Sequence, residues 1–273
     1  MLLSMDSGVS ALDQFQQQLN VIGNNIANVA TSGFKSANVE FADALSQTVG
    51  QNAAGSEQVG TGIVTSSITN QFTQGSIIST GVQTNMAVNG NGFFLVKDPA
   101  SGQSYVTRDG NFSVDANGFL VTSQGMRVQG YTDSTHTTTG DIQISNAGAP
   151  GGDTSAVQSF TFGSSGNANI LLADGTQYNG GQILLQNFTS PTQLVSVGNN
   201  LYNNMANAGE LATPLAPSTS GLGNIQTGSL ETSNVDLASQ LTALISTQRA
   251  YEANTKVITT SDEILQDLVN LGH

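Results

Sequence analysis

The feature that most constrains this chain is its C-terminal stretch, residues 233–271, which contains neither proline nor glycine. These two residues disfavour helix interiors most strongly, so one uninterrupted helix of about 55–60 Å is predicted from Ser233 to Leu271. Ser233 is the expected N-cap, with Asp236 in the first turn. Apolar residues follow the helix at alternating steps of three and four, at Leu237, Leu241, Leu244, Tyr251, Ile258, Leu265 and Val269.

This spacing of about 3.5 residues indicates a narrow seam for pairing with another helix, since a helix packed on a globular core has a wider apolar face. Gln248, Thr255 and Asp262 interrupt the seam. Polar residues at such positions lower stability but fix the register of the paired helices. The C-terminal helix is therefore predicted to work as one member of a helix pair.

The N-terminus repeats the pattern. Its seam consists of Met5, Leu12, Phe15, Leu19, Ile22, Ile26 and Val29, with Gly8 in one position. Asn24, Asn25, Asn28 and the following Thr31-Ser-Gly predict the end of this helix. A single helix cannot bury such a seam alone. We therefore expect the two terminal helices to pair with each other, and pairs from many copies to pack together.

The middle of the chain, from about residue 60 to 228, is predicted to be β-rich. Short β-branched and aromatic runs alternate there with turn pairs such as Asn89-Gly90, Asp109-Gly110 and Asn117-Gly118, which favour tight hairpins. The predicted fold is α+β, in which long N- and C-terminal helices form a coiled-coil-like inner domain and a β-rich outer domain lies between them. The expected parts are residues 1–45 (N-terminal helix and assembly segment), 46–70 (linker), 71–228 (β domain, with a short insertion near 132–182) and 229–273 (C-terminal helix).

Composition excludes several classes of function. The net charge is −13, from 19 acidic and 6 basic residues, so no basic surface for nucleic acid or an anionic membrane is expected. Cysteine is absent, which removes disulfides, thiolate nucleophiles and cysteine zinc sites. No apolar run is long enough to predict membrane insertion. Charged residues make up only 9% of the chain, and a surface of neutral amides and hydroxyls suits contact between copies.

Residues for catalysis are also scarce. Of the two histidines, His136 lies in a threonine-rich segment and His273 is the last residue, so neither is expected to be catalytic or a ligand. The sequence at Asp115 begins like a calcium loop but lacks the later ligands. Arg108 is expected to form a turn with a local ion pair to Asp109, or to contact a neighbouring subunit. No catalytic residue, metal site or cofactor is predicted, and the chain is not expected to be an enzyme.

Several motifs then resemble those of one family. The segment Leu19-Asn-Val-Ile-Gly-Asn-Asn-Ile-Ala-Asn-Val-Ala-Thr-Ser-Gly-Phe-Lys-Ser resembles the N-terminal signature of flagellar rod, hook and hook-associated proteins. Residues 72–76, 89–94, 105–112, 118–121 and 129–131 look like the family's β domain. Residues 228–237 and 248–254 are similar to its C-terminal helix. The resemblance covers about 1–130 and 183–271.

This resemblance implies a subunit that leaves the cell through the flagellar type III export apparatus without signal cleavage, the N-terminal segment being the export signal. The terminal helices would line the core of a helical homopolymer, and the β domain would form its outer wall. The implied partners are further copies of the chain and neighbouring axial proteins of the rod, hook cap and hook-filament junction. The implied location is the hook or basal body, outside the cell or spanning the periplasm.

The residues point to more than one family member. Phe41-Ala-Asp-Ala-Leu and Val128-Gln-Gly-Tyr look more like the hook protein, which transmits motor torque to the filament, and a compact hook protein is the favoured interpretation. Total length and the short segment 160–182 look more like the distal rod protein, which is the alternative. A secreted β-rich adhesin would share the composition but would not need a seam at both termini. A cytoplasmic enzyme would show a cluster of titratable residues.

The segment Ser46–Gly60 bears on this choice, because the family resemblance implies that contacts made there can stiffen the tube. It contains Gly50, Gly55 and Gly60 and almost no bulky apolar residue. Since glycine loses much entropy on ordering, we expect few fixed contacts between subunits here, and therefore a flexible, curved tube.

Overall fold

The computed structural model describes residues 2–45, 47–52, 55–133, 136–146, 149, 155–210 and 214–271. Helix α1 spans Leu2–Ala27 and helix α2 spans Leu237–Leu271, with a β-rich region between them. The α+β class with helical ends is therefore confirmed. His273, Ser46 and residues 53–54 of the predicted linker lie outside the described residues.

The strands are short. In chain order they are β1 (Ala37–Asp43), β2 (Gln47–Asn52), β3 (Gly55–Val59), β4 (Ile63–Asn70), β5 (Ile77–Ser79), β6 (Met86–Asn89), β7 (Phe93–Lys97), β8 (Ser104–Thr107), β9 (Phe112–Val114), β10 (Leu120–Thr122), β11 (Arg127–Tyr131), β12 (Thr139–Asp141), β13 (Val157–Phe162), β14 (Asn167–Leu172), β15 (Gln177–Ile183), β16 (Leu185–Gln186), β17 (Val195–Gly198), β18 (Leu201–Asn203), β19 (Asn224–Thr227) and β20 (Ser229–Glu231).

The strands and helices divide into two compact units. The first unit contains α1, α2 and strands β1 to β4, and the second contains residues 30–35 and 72–234. In the first unit β1 pairs with β4 and β2 pairs with β3, both antiparallel. Residues 46–70, which the sequence predicts as a linker, thus include three strands. Glycine-rich sequence does not prevent this, because the main-chain hydrogen bonds of a hairpin require no side chain.

Helix α2 begins later than predicted. Its first residue is Leu237, and Asp236 is the residue that caps it, accepting hydrogen bonds from the backbone N–H groups of Ala238 (2.9 Å) and Ser239 (3.4 Å). The hydrogen bond from the Ser239 hydroxyl, together with these backbone bonds, lowers the pKa of Asp236 below its usual value. The prediction of Ser233 as N-cap was therefore wrong by about one turn, because a carboxylate accepts several orphan N–H groups of a first turn at once.

The second unit is built on one large sheet. Twelve of the described strands belong to it, and its main path runs β13-β14-β15-β11-β7-β8-β18-β17. Its principal core contains Phe94, Leu120, Ile170 and Leu185, each at most 1% exposed. A smaller aromatic cluster contains Phe93, Phe188 and Tyr202. Strands β13 to β15, from the predicted insertion near 132–182, extend this same sheet.

Candidate assembly surface and a buried ion cluster

Helices α1 and α2 lie side by side and antiparallel. A side-chain carbon added to Gly8 would stand 3.3 Å from Ile258 Cγ1. Near the other end of α1, Asn25 Nδ2 donates a hydrogen bond of 3.2 Å to Gln240 Oε1. The two contacts fix the direction and the register of the pair, and glycine at position 8 allows the helices to approach closely.

On α2 the residues turned away from solvent form a regular row. They recur at alternating steps of four and three, at Gln240, Leu244, Thr247, Tyr251, Asn254, Ile258, Ser261 and Leu265, and the small residues Ala243 and Ala250 beside them are also half-buried. Four predicted seam residues, Leu244, Tyr251, Ile258 and Leu265, belong to this row. Leu237 and Leu241, also predicted for the seam, are 43% and 48% exposed. The inward face is therefore turned by one residue relative to the predicted seam.

The polar residues in the row are hydrogen-bonded by their own helix. Thr247 Oγ1 donates to Ala243 O at 2.8 Å, and Ser261 Oγ donates to Val257 O at 2.7 Å. A hydroxyl that is satisfied by its own helix costs little to bury. Small polar side chains can therefore occupy inward positions. The exposed Thr242 and Thr255 make the same kind of bond, to Ala238 O and Tyr251 O, so the bond permits burial without selecting the inward face.

Helix α1 packs against two partners within the first unit. Besides α2, it contacts the β1–β4 pair, where Phe15 meets the ring of Phe41 edge to face at 6.2 Å. Gln17 Oε1 accepts a hydrogen bond of 2.8 Å from Thr65 Oγ1. Ile22 is buried at 5% exposure, whereas the other predicted seam residues of α1 are half-buried, namely Leu12, Phe15, Leu19 and Ile26.

Asn25 is a buried residue that the seam prediction omitted. It is 2% exposed. Its side chain pairs with the backbone of Ala37, donating to Ala37 O at 2.8 Å and accepting from Ala37 N at 3.0 Å. Together with the bond to Gln240, this satisfies nearly all the hydrogen-bonding capacity of the amide. A buried amide in a helix pair is suited to fixing register.

A large apolar area of the first unit remains in contact with solvent. We call it the assembly surface: on α2 it comprises Leu237, Leu241, Ile245, Val257, Ile264, Leu268, Val269 and Leu271, and on β4 Val64 and Ile68, all between 42% and 84% exposed. Scattered exposed leucines are ordinary, but a concentration of this size on one helix marks a surface for interaction.

The second unit holds a buried cluster of three charged side chains. Lys35 Nζ lies 2.6 Å from Glu231 Oε1, and Arg108 Nη1 lies 3.3 Å from Glu231 Oε2. Exposure is 1% for Lys35, 1% for Glu231 and 4% for Arg108. Charges are rarely buried to this extent unless they are paired, as they are here.

Backbone groups complete the cluster. Lys35 Nζ also donates to Thr73 O at 2.7 Å, and Gly75 N donates to Glu231 Oε1 at 2.8 Å. Arg108 donates to Gly90 O at 2.9 Å. Burial lowers the pKa of Lys35, against the raising effect of Glu231, and likewise lowers the pKa of Arg108. The single carboxylate thus holds together three parts of the chain that are distant in sequence.

These charged residues come from three different motifs. Lys35 belongs to the N-terminal signature, Arg108 to the segment 105–112, and Glu231 to the segment 228–237. The predicted ion pair of Arg108 with Asp109 is wrong, since Arg108 instead reaches Glu231, 123 positions away. Asp109 accepts a backbone hydrogen bond from Asn111 at 3.1 Å, and burial raises its pKa.

Position 33, beside the buried ion cluster, accepts only glycine. Its φ is +68°, and an added side-chain carbon would lie 2.6 Å from Asp109 N. Its N–H donates to Glu231 O at 2.8 Å. The conformation and the close approach both require that no side chain be present.

Three features bear on other kinds of site. Among the described residues, no group of three or more His, Asp or Glu side chains is arranged to hold a metal ion. His136 is exposed and stacks on the ring of Tyr131 at 5.3 Å. Neither described helix combines the length and apolar character that a membrane span requires.

Comparison with known proteins gives matches along most of the chain. Three family models match: "Flagella basal body rod protein" over residues 5–35, "Flagellar hook protein FlgE/F/G D1 domain" over 87–170, and "Flagellar basal body rod FlgEFG protein C-terminal" over 226–271. The matched ranges contain the charged residues Lys35, Arg108 and Glu231.

Among individual relatives, the flagellar basal-body rod protein FlgG of Bacillus subtilis is 40% identical over 99% of both chains. FlgG of Caulobacter vibrioides is 38% identical over 92% of both chains. The flagellar hook protein FlgE of Treponema pallidum is 41% identical, but the match spans 48% of this chain and 30% of that protein.

Proposed function

The chain belongs to the family of flagellar hook and basal-body rod proteins, and on this premise we propose that it is a subunit of the distal rod. It is a structural subunit of the flagellar axial structure, in a family that is not enzymatic in general. The sequence alone favoured the hook over the rod. The near full-length match to rod proteins supports the rod better, and it is the observation that carries the proposal.

The second unit adds support to this choice. A typical hook protein would carry an extra outer domain after the Gln129-Gly-Tyr motif, as the family resemblance implies. Here β13, β14 and β15 follow that motif and join the sheet that contains β7, β8 and β11. The strands that follow this motif therefore extend the same sheet. This agrees with a match to the hook protein that ends well short of that protein's full length.

The assembly surface is the part of the chain that we assign to contact between copies. A tube needs contacts between unlike faces of successive subunits, since only such contacts continue without closing. Exposed apolar residues on α2 and β4 supply area for burial at about 25 cal/mol per Å². We propose that neighbouring axial proteins use the same surface at the ends of the rod, and that the N-terminal segment directs export.

The hairpin of β2 and β3 is the feature that we connect with stiffness. The sequence predicted few fixed contacts between subunits here, a prediction that a single chain does not test. Within the chain, the backbones of Gln47–Asn52 and Gly55–Val59 pair with each other. A paired hairpin is already ordered, so it loses less entropy than a free loop on contacting a neighbour. We propose that it contacts adjacent subunits and stiffens the rod.

Imaging of basal bodies from a deletion strain tests the proposed function. Without this chain we expect no complete distal rod and therefore no hook, with both restored by the wild-type gene. A strain that still builds a complete rod and lacks only the hook would support the hook function instead. In the complemented strain, deleting residues 52–58 should turn straight tubes into curved ones. Tubes that stay straight would contradict a stiffening role for the hairpin.

A further inference from the structure

The last two strands of the second unit pair with its first two. Strand β19 pairs with β6, and β20 pairs with β5, each as a two-stranded antiparallel sheet. Within the described part of the chain, β5 and β6 have no other strand partner. The strands that begin the unit therefore depend on the residues that end it for their ladder hydrogen bonds. We call residues 224–231, which contain β19 and β20, the closing segment.

Three of the four residues of β6 are fully buried, so the loss of β19 would leave unpaired main-chain groups inside the core. Met86, Ala87 and Val88 are each 0% exposed, and Ile225 of β19 is 1% exposed. Met86, Val88 and Ile225 belong to the principal core of the second unit. Ile225 N also donates to Ser164 O at 2.9 Å, in the connection between β13 and β14. The large sheet therefore shares its core with the closing segment.

Strand β20 carries the carboxylate of the buried ion cluster. Among the described residues, Glu231 is the only carboxylate that pairs with Lys35 or Arg108. Its side chain also accepts a hydrogen bond from Gly75 N, and its main-chain oxygen accepts one from Gly33 N, both at 2.8 Å. Without the closing segment, the native fold would bury two cations that have no counter-charge, which is strongly unfavourable. The native positions of Lys35 and Arg108 are therefore stable only when Glu231 is present.

We propose that the closing segment makes the second unit fold and unfold as one, so that the large sheet is stable only when residues 224–231 are in place. The inference concerns the single chain and does not depend on the proposed function. Arg108 directly follows β8, a strand inside the main path of the large sheet, so its uncompensated charge would destabilise that sheet and not only β5. Every chain leaves the ribosome N-terminus first. Residues 72–223 therefore stay unfolded until the closing segment follows, which delays folding of the second unit until the chain is nearly complete.

Hydrogen exchange of the full-length wild type, followed by mass spectrometry at urea concentrations below the unfolding transition, tests the proposal. The slowest amides of the closing segment and those of β7, β8, β14 and β15 should open with the same equilibrium constant and the same dependence on urea. A large sheet that stays protected while the closing segment opens at least tenfold more often would overturn the proposal. Pulse labelling during refolding measures the order of folding. Protection in the large sheet should appear together with protection in the closing segment, and earlier protection in the large sheet would also overturn it.

Two variants of the full-length chain separate a cooperative role of Glu231 from a local one. Glu231→Gln should raise the opening constant of amides in β14 and β15, to which Glu231 makes no hydrogen bond, by at least about a hundredfold and as much as in β20. The control in the same unit is Asp141→Asn, which breaks an ion pair with Arg127 whose side chains are 27% and 29% exposed. It should raise these constants at most about fivefold. A rise for Glu231→Gln that is confined to β5, β20 and residues 33–35 would show a local role and contradict the proposal. If Glu231→Gln does not fold, the exchange and refolding of the wild type still decide the question.

Discussion

Lys35 Nζ and Glu231 Oε1 lie 2.6 Å apart although the two residues are separated by 196 positions in the chain. Both are fully buried. Lys35 follows the N-terminal helix and Glu231 precedes the C-terminal helix, so this ion pair joins the two segments at the points where they enter the second unit. Substitution of Glu231 tests how much this ion pair contributes to stability.

Glu231→Gln should destabilise the second unit by about 3–5 kcal/mol, because it leaves two buried cations without a carboxylate. Urea unfolding measures the change in the free energy of unfolding. It can be followed by tyrosine fluorescence, since the chain has no tryptophan, or by circular dichroism. The control is Glu252→Gln, which breaks an ion pair with Arg249 whose side chains are 60% and 77% exposed. That change should cost at most about 0.5 kcal/mol. Similar losses from both variants would contradict a structural role for the buried cluster.

Gly33→Ala should destabilise the second unit more than Gly81→Ala. Both glycines have positive φ, +68° and +71°, but only at Gly33 would the added carbon meet another group within 4 Å. The backbone conformation costs about 1 kcal/mol at either position. The contact with Asp109 N should add about 1–3 kcal/mol at Gly33 alone. Equal midpoints in urea for the two variants would show that the backbone at residue 33 moves away freely.

The buried phenol of Tyr202 should lower the free energy of unfolding at high pH. Burial raises the pKa of its phenol from 10.0 to about 12. Between these values the unfolded chain loses the phenolic proton while the folded chain keeps it, so stability falls as pH rises. The loss should reach roughly 2–3 kcal/mol by pH 12. Tyr202→Phe should remove this part of the pH dependence and leave stability below pH 10 little changed; parallel curves for the two proteins would contradict the assignment.

Leu241→Asp should prevent tube formation while leaving the helix pair of the monomer intact, because Leu241 is 48% exposed in the single chain. On assembly the new carboxylate would lose its hydration without a partner, at a cost of several kcal/mol. We expect the concentration needed for assembly, measured by sedimentation, to rise at least tenfold.

Two further variants test which face of α2 makes the contact between subunits. Ser246→Asp, at an exposed position outside the assembly surface, should assemble like the wild type. Gln240→Asp is not a neutral change, because Gln240 accepts a hydrogen bond from Asn25. It should weaken the helix pair itself. Equal assembly of the Leu241 and Ser246 variants would place the subunit contact on another face.

The sequence by itself determined the kinds of element and their order. The proline- and glycine-free stretch of residues 237–271 and the 3.5-residue spacing are local properties, so they predicted a long helix with a narrow inward face. The turn pairs predicted a β-rich middle in the same way. The family motifs were equally visible in the sequence, because they are short and contiguous.

Only the tertiary structure decided which side of α2 is buried and which charges meet. Thr247 and Ser261 can lie on the inward side because their hydroxyls bond to their own helix, a compensation that a hydrophobicity scale does not include. Leu241 lies outside this row and is 48% exposed. Glu231 pairs with Lys35 and Arg108 because folding brings together distant segments that exclude water. The local periodicity of the sequence carries no information about this contact. The contact depends on how the strands between the three residues are arranged in space.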